Sequence, residues 1–310
     1  MESNDHHLTD SGVVTVSRST DCGVTWPEKR TIAAEPGRHC YTNHSMTRLT
    51  DGTILLHVIR GKMRYEDTGA DRIPSRGAFI RSTDDGRTWG EYGETLDFPF
   101  WDADGRGFSY GKVLELSNSR LMAPVYGVPK AADNSRLRVA GVAFSDNGGH
   151  SWPEYSVIYE DRKGDVNPSE TDIIQMSDGR YLAMIRANAA LRLYRSYSDD
   201  EGATWSPIEP TELPGQCPAL FTLADGRILC AYREMRPREH GMSCAVSGDM
   251  GDTWTALGHL YGGGNTDCAY PSMVRLPGGL IYCIYYTASY PEPLTGVSEI
   301  RGLLMRDKTG

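Results

Sequence analysis

No stretch of these 310 residues comes near the roughly 18 apolar residues that a membrane span needs. The opening segment, MESNDHHLTDSG, has neither the basic start nor the apolar core of a secretory signal. As it stands the chain is expected to be cytoplasmic, and a secretion signal lying ahead of it would change that expectation. Basic residues are in deficit: 32 Lys and Arg against 41 Asp and Glu give a net charge of −9. That balance argues against nucleic acid as a partner, because neutralising phosphates takes a surplus of cations. The seven cysteines include no CxxC pair and show no pairing rhythm. Cys230, Cys244 and Cys283 sit in apolar, strand-like runs, so buried free thiols are expected rather than a disulfide framework or a zinc site. No His, Cys and Asp spacing indicates a metal, and no cofactor is expected. No glycine-rich turn precedes a helix, which leaves a nucleotide site without support. Helical periodicity itself is missing from every window of useful length.

What the sequence has is a repeat. The pattern S-x-D-x-G-x-[TS]-W occurs as STDCGVTW (Ser19 to Trp26), STDDGRTW (Ser82 to Trp89), SDNGGHSW (Ser145 to Trp152), SDDEGATW (Ser198 to Trp205) and SGDMGDTW (Ser247 to Trp254). Only the third copy breaks it, with Asn147 in the Asp position. Successive copies lie 63, 63, 53 and 49 residues apart, and five of the six tryptophans close a copy. The residue types suit a tight turn between two strands. The carboxylate caps backbone N–H groups, and the glycine takes a positive φ that other residues resist. These boxes are read as folding elements, not as ligand sites.

A second repeat interleaves with the first. LTDGTIL (Leu49), MSDGRYL (Met176) and LADGRIL (Leu223) each join two apolar runs through a two-residue turn, with LSNSRLM (Leu116) and LPGGLIY (Leu276) as degenerate copies. One period therefore reads strand, DG hairpin, strand, loop, strand, Asp-box hairpin, strand. Four antiparallel strands every 50 to 60 residues make a propeller blade.

The Asp boxes, the DG hairpins and their alternation resemble the sialidase (neuraminidase) superfamily over essentially the whole chain. The resemblance implies an all-β, six-bladed β-propeller forming a single domain over residues 1–310. Full blades are expected at about 40–95, 100–158, 165–210 and 214–258, and three C-terminal strands follow. The N-terminus opens on the third strand of a blade (Val13 to Arg18), so the first blade lacks its inner hairpin. In the family that hairpin carries an Arg-Ile-Pro motif with the first substrate-binding arginine. Arg72-Ile73-Pro74 has the same letters but lies in a long loop after a DG hairpin, and is read as coincidence.

Aligning the blades on the DG turn brings Asn43, Tyr110, Glu170, Cys217 and Tyr270 to one position at the head of the innermost strand. The resemblance implies Tyr270 as nucleophile and Glu170 as its partner, since sialidases depart from the usual carboxylate pair. A phenol suits an anionic sugar, because a carboxylate nucleophile would repel the substrate's own carboxylate. A structural tyrosine beside a glutamate satisfied by arginines is the competing account of the same two residues.

A substrate carboxylate also calls for arginines, whose planar fork is permanently charged. Arg60, Arg186 and Arg233 end second strands, Arg76 and Arg192 begin third strands, and Arg236 and Arg238 lie in the loop REMRPREHG. Arg192 matches the family's second-arginine region best, Arg238 or Arg236 is the candidate third, and Ser243 stands where some relatives have Arg. For the acid/base the resemblance points to an early-blade aspartate, here Asp102 or Asp104, with Asp67, Asp71, Asp172 and Asp267 as competitors. His44 and His240 also reach the expected rim, His44 as a substrate-facing or hydrogen-bonded strand residue.

Three functions stay open on the sequence. The first is a sialidase-like exo-glycoside hydrolase on a terminal acidic sugar, with a glycan or small carbohydrate as its partner. The second is a propeller enzyme acting on another glycan by hydrolysis or uronate elimination. The third is a non-catalytic propeller that binds glycans or proteins.

Overall fold

The computed structural model describes residues 12–37, 39–42, 46–61, 76–90, 107–129, 137–262, 268–288 and 298–307. Apart from one 3-10 turn at Pro277–Gly279, the regular structure among the described residues is all β. Two compact units divide the chain, one comprising residues 1–137 and 142–155 and the other residues 138–141 and 156–310.

In the first unit, β1 (Val14–Arg18) and β2 (Glu28–Ala33) form a two-stranded antiparallel ribbon. β3 (His39–Tyr41) and β4 (Met46–Arg48) both pair with β5 (Ile54–Gly61), and β6 (Arg76–Ser82) pairs with the same strand. β7 (Gly107–Ser109) and β8 (Leu114–Glu115) likewise pair with β9 (Leu121–Gly127). The boundary between units runs through β10 (Arg138–Ser145), and β11 (Glu154–Asp161) completes that third sheet.

The second unit holds the most regular meanders. β12 (Pro168–Gln175), β13 (Tyr181–Ala187), β14 (Arg192–Ser198) and β15 (Glu209–Pro210) pair in sequence order. So do β16 (Gly215–Thr222), β17 (Ile228–Glu234), β18 (Gly241–Ser247) and β19 (Thr255–Gly262). The last sheet has three strands, β20 (Cys268–Leu276), β21 (Leu280–Ala288) and β22 (Ser298–Arg306).

Five sheets of three or more strands therefore carry the blade pattern, and the first is a ribbon. The expectation of six blades is corrected to five plus a ribbon, because no described strand pairs with β1 other than β2. Among the described residues that first sheet consists of β1 and β2 alone.

Burial explains why the inner strands read as apolar runs and not as alternating ones. β17 and β18 are buried at every position, whereas β19, at the sheet edge, is mostly exposed. A sheet covered on both faces has no solvent face to make polar. One buried cluster joins Met184, Leu193, Leu220, Cys230 and Trp254. A second joins Ala231, Met242, Met273, Ile281 and Cys283. Every described cysteine is a free thiol, and all but Cys22 are buried.

The Asp boxes close the outer hairpins as their residue types demand. In the fourth, the Ser198 hydroxyl accepts the Gly202 N–H at 2.8 Å, and Asp200 accepts the Thr204 N–H at 2.8 Å and its hydroxyl at 2.6 Å. Trp205 Nε1 donates to the Gly202 carbonyl at 3.0 Å, and Gly202 takes φ 85 after Glu201 at φ 57. Hydrogen bonds to the ionised form hold Asp21, Asp84 and Asp249 at about 2, from an ordinary 3.8. Asn147 reproduces the turn but donates to the Ser151 hydroxyl where the aspartates accept from Thr.

Candidate active site

The site begins with an irregularity shared by three inner strands of the second unit. The ladder register breaks between Pro168 and Thr171 in β12, between Gln216 and Ala219 in β16, and between Ala269 and Ser272 in β20. Glu170, Cys217 and Tyr270 all fall in the broken stretch, at the position that alignment on the DG turn assigns them. A bulge re-aims the side chain it releases from the ladder. Cys217 and Tyr270 also sit at φ 50 and φ 49, a left-handed conformation that costs bulky residues energy and collects at functional sites.

The released side chains meet. The Tyr270 hydroxyl donates to Glu170 Oε1 at 2.6 Å, although 100 residues separate them in sequence. Arg186, from the end of β13, places Nη1 3.0 Å from the same oxygen and 3.3 Å from Cys217 Sγ. The other carboxylate oxygen, Oε2, accepts the Ser169 hydroxyl at 2.7 Å. Behind them, Asn188 accepts Arg186 Nε at 2.7 Å and donates through Nδ2 to Ser169 Oγ at 2.9 Å and to the Asn167 carbonyl at 3.0 Å. Arg233, from the end of β17, lies over the Tyr270 ring at 5.1 Å. It donates Nε to the Cys268 carbonyl at 2.8 Å and Nη2 to the Tyr286 hydroxyl at 3.2 Å.

Electrostatics favours an ionised Glu170. Burial pushes its carboxyl up, but the Arg186 charge and the Tyr270 and Ser169 hydroxyls outweigh burial and leave it below the ordinary value. Burial pushes the Cys217 thiol up, so the sulfur is held neutral. One guanidinium, Arg186, thus pairs with the carboxylate, and a second, Arg233, lies over the ring of the tyrosine bonded to it. Among the described residues, Arg186 Nη2 and Arg233 Nη1 have no hydrogen-bond acceptor. The arrangement can hold an anionic group over Tyr270 and can take the tyrosine proton onto Glu170.

The remaining sequence candidates fall in different places. Arg192 opens β14 in an exposed position, away from the Glu170 hydrogen bonds that Arg186 makes. Arg236 folds back onto fully buried Glu234, at 2.8 Å from Nη2 to Oε2. Arg238 is exposed at φ 70. Asp172 is buried and spends a carboxylate oxygen on the Leu220 N–H at 2.7 Å, a strand-linking role. In the first unit Arg60 pairs with Glu35 at 3.3 Å, and Arg76 opens β6 with its side chain outside the described residues. His44, Asp67, Asp71, Asp102, Asp104, Asp267 and Asn43 lie outside the described residues.

Sequence reasoning missed Ser169, Asn188 and Tyr286. Ser169 adjoins the proposed Glu and Asn188 follows Arg186 by two, but neither is marked by a repeat. Among the described residues no group of three His, Cys, Asp or Glu side chains is placed to hold a metal. No described helix is long and apolar enough to cross a membrane.

A family model described as a BNR repeat-like domain matches residues 9–283. A sialidase from Micromonospora viridifaciens is 29% identical over an alignment 231 residues long that covers 68% of this chain and 32% of that protein. The chain thus spans about a third of the length of that curated relative. Among solved structures, a protein of unknown function from Dyadobacter fermentans matches with a TM-score of 0.81 at 23% identity, covering 99% of this chain and 87% of that one. A Hadza microbial sialidase matches with a TM-score of 0.67 at 17% identity, over 88% of this chain and 56% of its own. These likenesses show the fold, an all-β propeller.

Proposed function

The chain belongs to the BNR repeat-like domain family, and on that premise we propose that it is a sialidase-like exo-glycoside hydrolase of a terminal acidic sugar. One observation carries the reading: the 2.6 Å hydrogen bond from the Tyr270 hydroxyl to an ionised, arginine-flanked Glu170. A general base needs hydrogen-bond reach to the proton it takes, and this pair has it before substrate arrives. As Glu170 accepts the proton, the Tyr270 oxygen attacks the anomeric carbon, and the bond to the leaving-group oxygen breaks. A general acid, the role that the sequence resemblance implies for Asp102 or Asp104, protonates that oxygen. Water then attacks the same carbon, giving a proton to the general acid that the first step left deprotonated; the tyrosine oxygen leaves with the proton Glu170 returns, and configuration is retained. Arg186 Nη2 and Arg233 Nη1 hold the substrate carboxylate with charge-assisted hydrogen bonds. The 29% identity to a sialidase supports this reading.

The test is release of the fluorophore from a fluorogenic sialoside, with Tyr270→Phe as control. Turnover that vanishes in the variant supports the reading. A wild-type protein that turns over no sialoside overturns it; retention of glycans on an array would then favour a binding propeller, and an unsaturated-uronate absorbance would favour elimination.

A further inference from the structure

Glu170 has its two oxygens held by different groups, and one group on each oxygen shares an anchor with its counterpart. Oε1 receives Arg186 and Tyr270, while Oε2 receives Ser169. Arg186 and Ser169 both bond the side-chain amide of Asn188. The polarity of that amide is fixed by its third partner. The Asn167 carbonyl can only accept, so Nδ2 faces it and Oδ1 must face Arg186 Nε. Nδ2 then also donates to Ser169 Oγ, which leaves the Ser169 hydroxyl proton for Glu170.

The Asn167 carbonyl is itself tightly placed. Buried Asp161 accepts four backbone N–H groups, from Lys163 and Gly164 on Oδ1 and from Val166 and Asn167 on Oδ2, at 2.7 to 3.0 Å. The backbone N–H groups of Asn188 and Ala189 donate to the Asn167 and Val166 carbonyls, both at 3.1 Å. Asn167 stands at φ 52, the left-handed step that turns the loop into β12. A carboxylate-ordered loop therefore presents one carbonyl, one amide reads it, and the amide's two ends reach both sides of the proposed base.

We infer that Asn188 is a positioning residue for the proposed reaction: its amide orients Arg186 and directs the Ser169 proton, and so sets the ionisation of Glu170. The inference rests on the Tyr270–Glu170 reading of the site, but its mark on Glu170 is measurable without turnover. The other charged or titratable groups facing Glu170 are Arg186 from β13, Cys217 from β16 and Tyr270 from β20, with Arg233 from β17 beyond the tyrosine ring. None of them is altered by a substitution at position 188.

The experiment is a carbon NMR titration of the Glu170 carboxyl in protein labelled at the glutamate side-chain carbon, assigned with Glu170→Gln, alongside thermal melts. Asn188→Ala frees Arg186 and the Ser169 hydroxyl, and should raise the Glu170 midpoint by about one pH unit. Asn188→Asp keeps the shape but can only accept, drawing the Ser169 proton away and placing a negative charge nearby, so its midpoint should rise further than that of Asn188→Ala. Ser169→Ala should account for part of the first shift. If both Asn188 variants melt earlier yet titrate Glu170 as wild type does, the residue is merely structural and the inference fails. If Asn188→Asp no longer folds, the Asn188→Ala shift decides alone. Absence of sialoside turnover would sink the proposed function and leave this titration readable.

Discussion

Cys217 and Tyr270 are the same residue of two successive inner strands: both fall at a register break, both take φ near 50, and both precede a proline. A residue before proline is pushed toward extended conformations, so a left-handed backbone here runs against local preference. The bulged strands hold it there, and the result is that one strand delivers a phenol and its neighbour a thiol to Arg186 and Glu170.

A β-branched side chain tolerates that backbone worst. Cys217→Val should destabilise the fold by about 1–3 kcal/mol relative to Cys217→Ser, which keeps the size and the acceptor for Arg186. Urea unfolding of the two variants measures the difference. Equal midpoints would mean that the strand relaxes and that position 217 carries no strain.

Chemistry should depend on the tyrosine far more than stability does. Tyr270→Phe removes one hydrogen bond from Glu170, which keeps Arg186 and Ser169. The expected outcome is a fall in kcat/KM of at least about 100-fold on a fluorogenic sialoside, with a melting temperature close to wild type. Residual turnover within tenfold of wild type would transfer the nucleophile's role elsewhere.

The Tyr270–Glu170 pairing was legible in the sequence because both residues lie six positions before a DG-type turn. Strand periodicity turns such a count into a direction in space. The arginine was not legible in the same way. Arg186 and Arg192 flank one short connection, and which of them faces Glu170 depends on how the chain turns between them, through Leu191 at φ 50. Asn188 was beyond reach, since its role is created by a carbonyl 21 residues upstream that Asp161 fixes from a distance. The Asp boxes predicted the blades well, because their turns are closed by residues four apart. They mark outer hairpins alone, so they do not by themselves set how many strands the first sheet has, and among the described residues it is a ribbon.

Arg186 and Glu170 should behave as a buried pair. Both side chains are shielded, so Arg186→Met leaves the carboxylate with hydroxyl partners alone and should cost about 3–5 kcal/mol. Adding Glu170→Gln removes the stranded charge, and the double variant should recover much of that loss. A double variant as unstable as the sum of the singles would show no coupling between them. Arg192→Ala, by comparison, should leave stability within about 0.5 kcal/mol, as expected of an exposed side chain with no described partner.

Acid should attack the fold through its outer turns. Asp21, Asp84 and Asp249 are held at about 2, below their ordinary 3.8. A carboxylate whose folded value is depressed adds stability that is fully present above the ordinary value. That stability fades as pH falls from about 4 toward about 2. Asn147 cannot take part, because its amide does not titrate: Oδ1 accepts the Ser151 N–H, but Nδ2 donates to the Ser151 hydroxyl that a carboxylate would accept from. Asn147→Asp converts the third box to the pattern of the others, with the Ser151 hydroxyl turned to donate. Its melting temperature should exceed wild type at pH 7 and fall to the wild-type value at pH 2. A gain that persisted undiminished at pH 2 could not come from the charged form of the new carboxylate. The stabilising element would then be the turn's shape alone, and the hydrogen bonds of the other four boxes would have to be re-weighed with it.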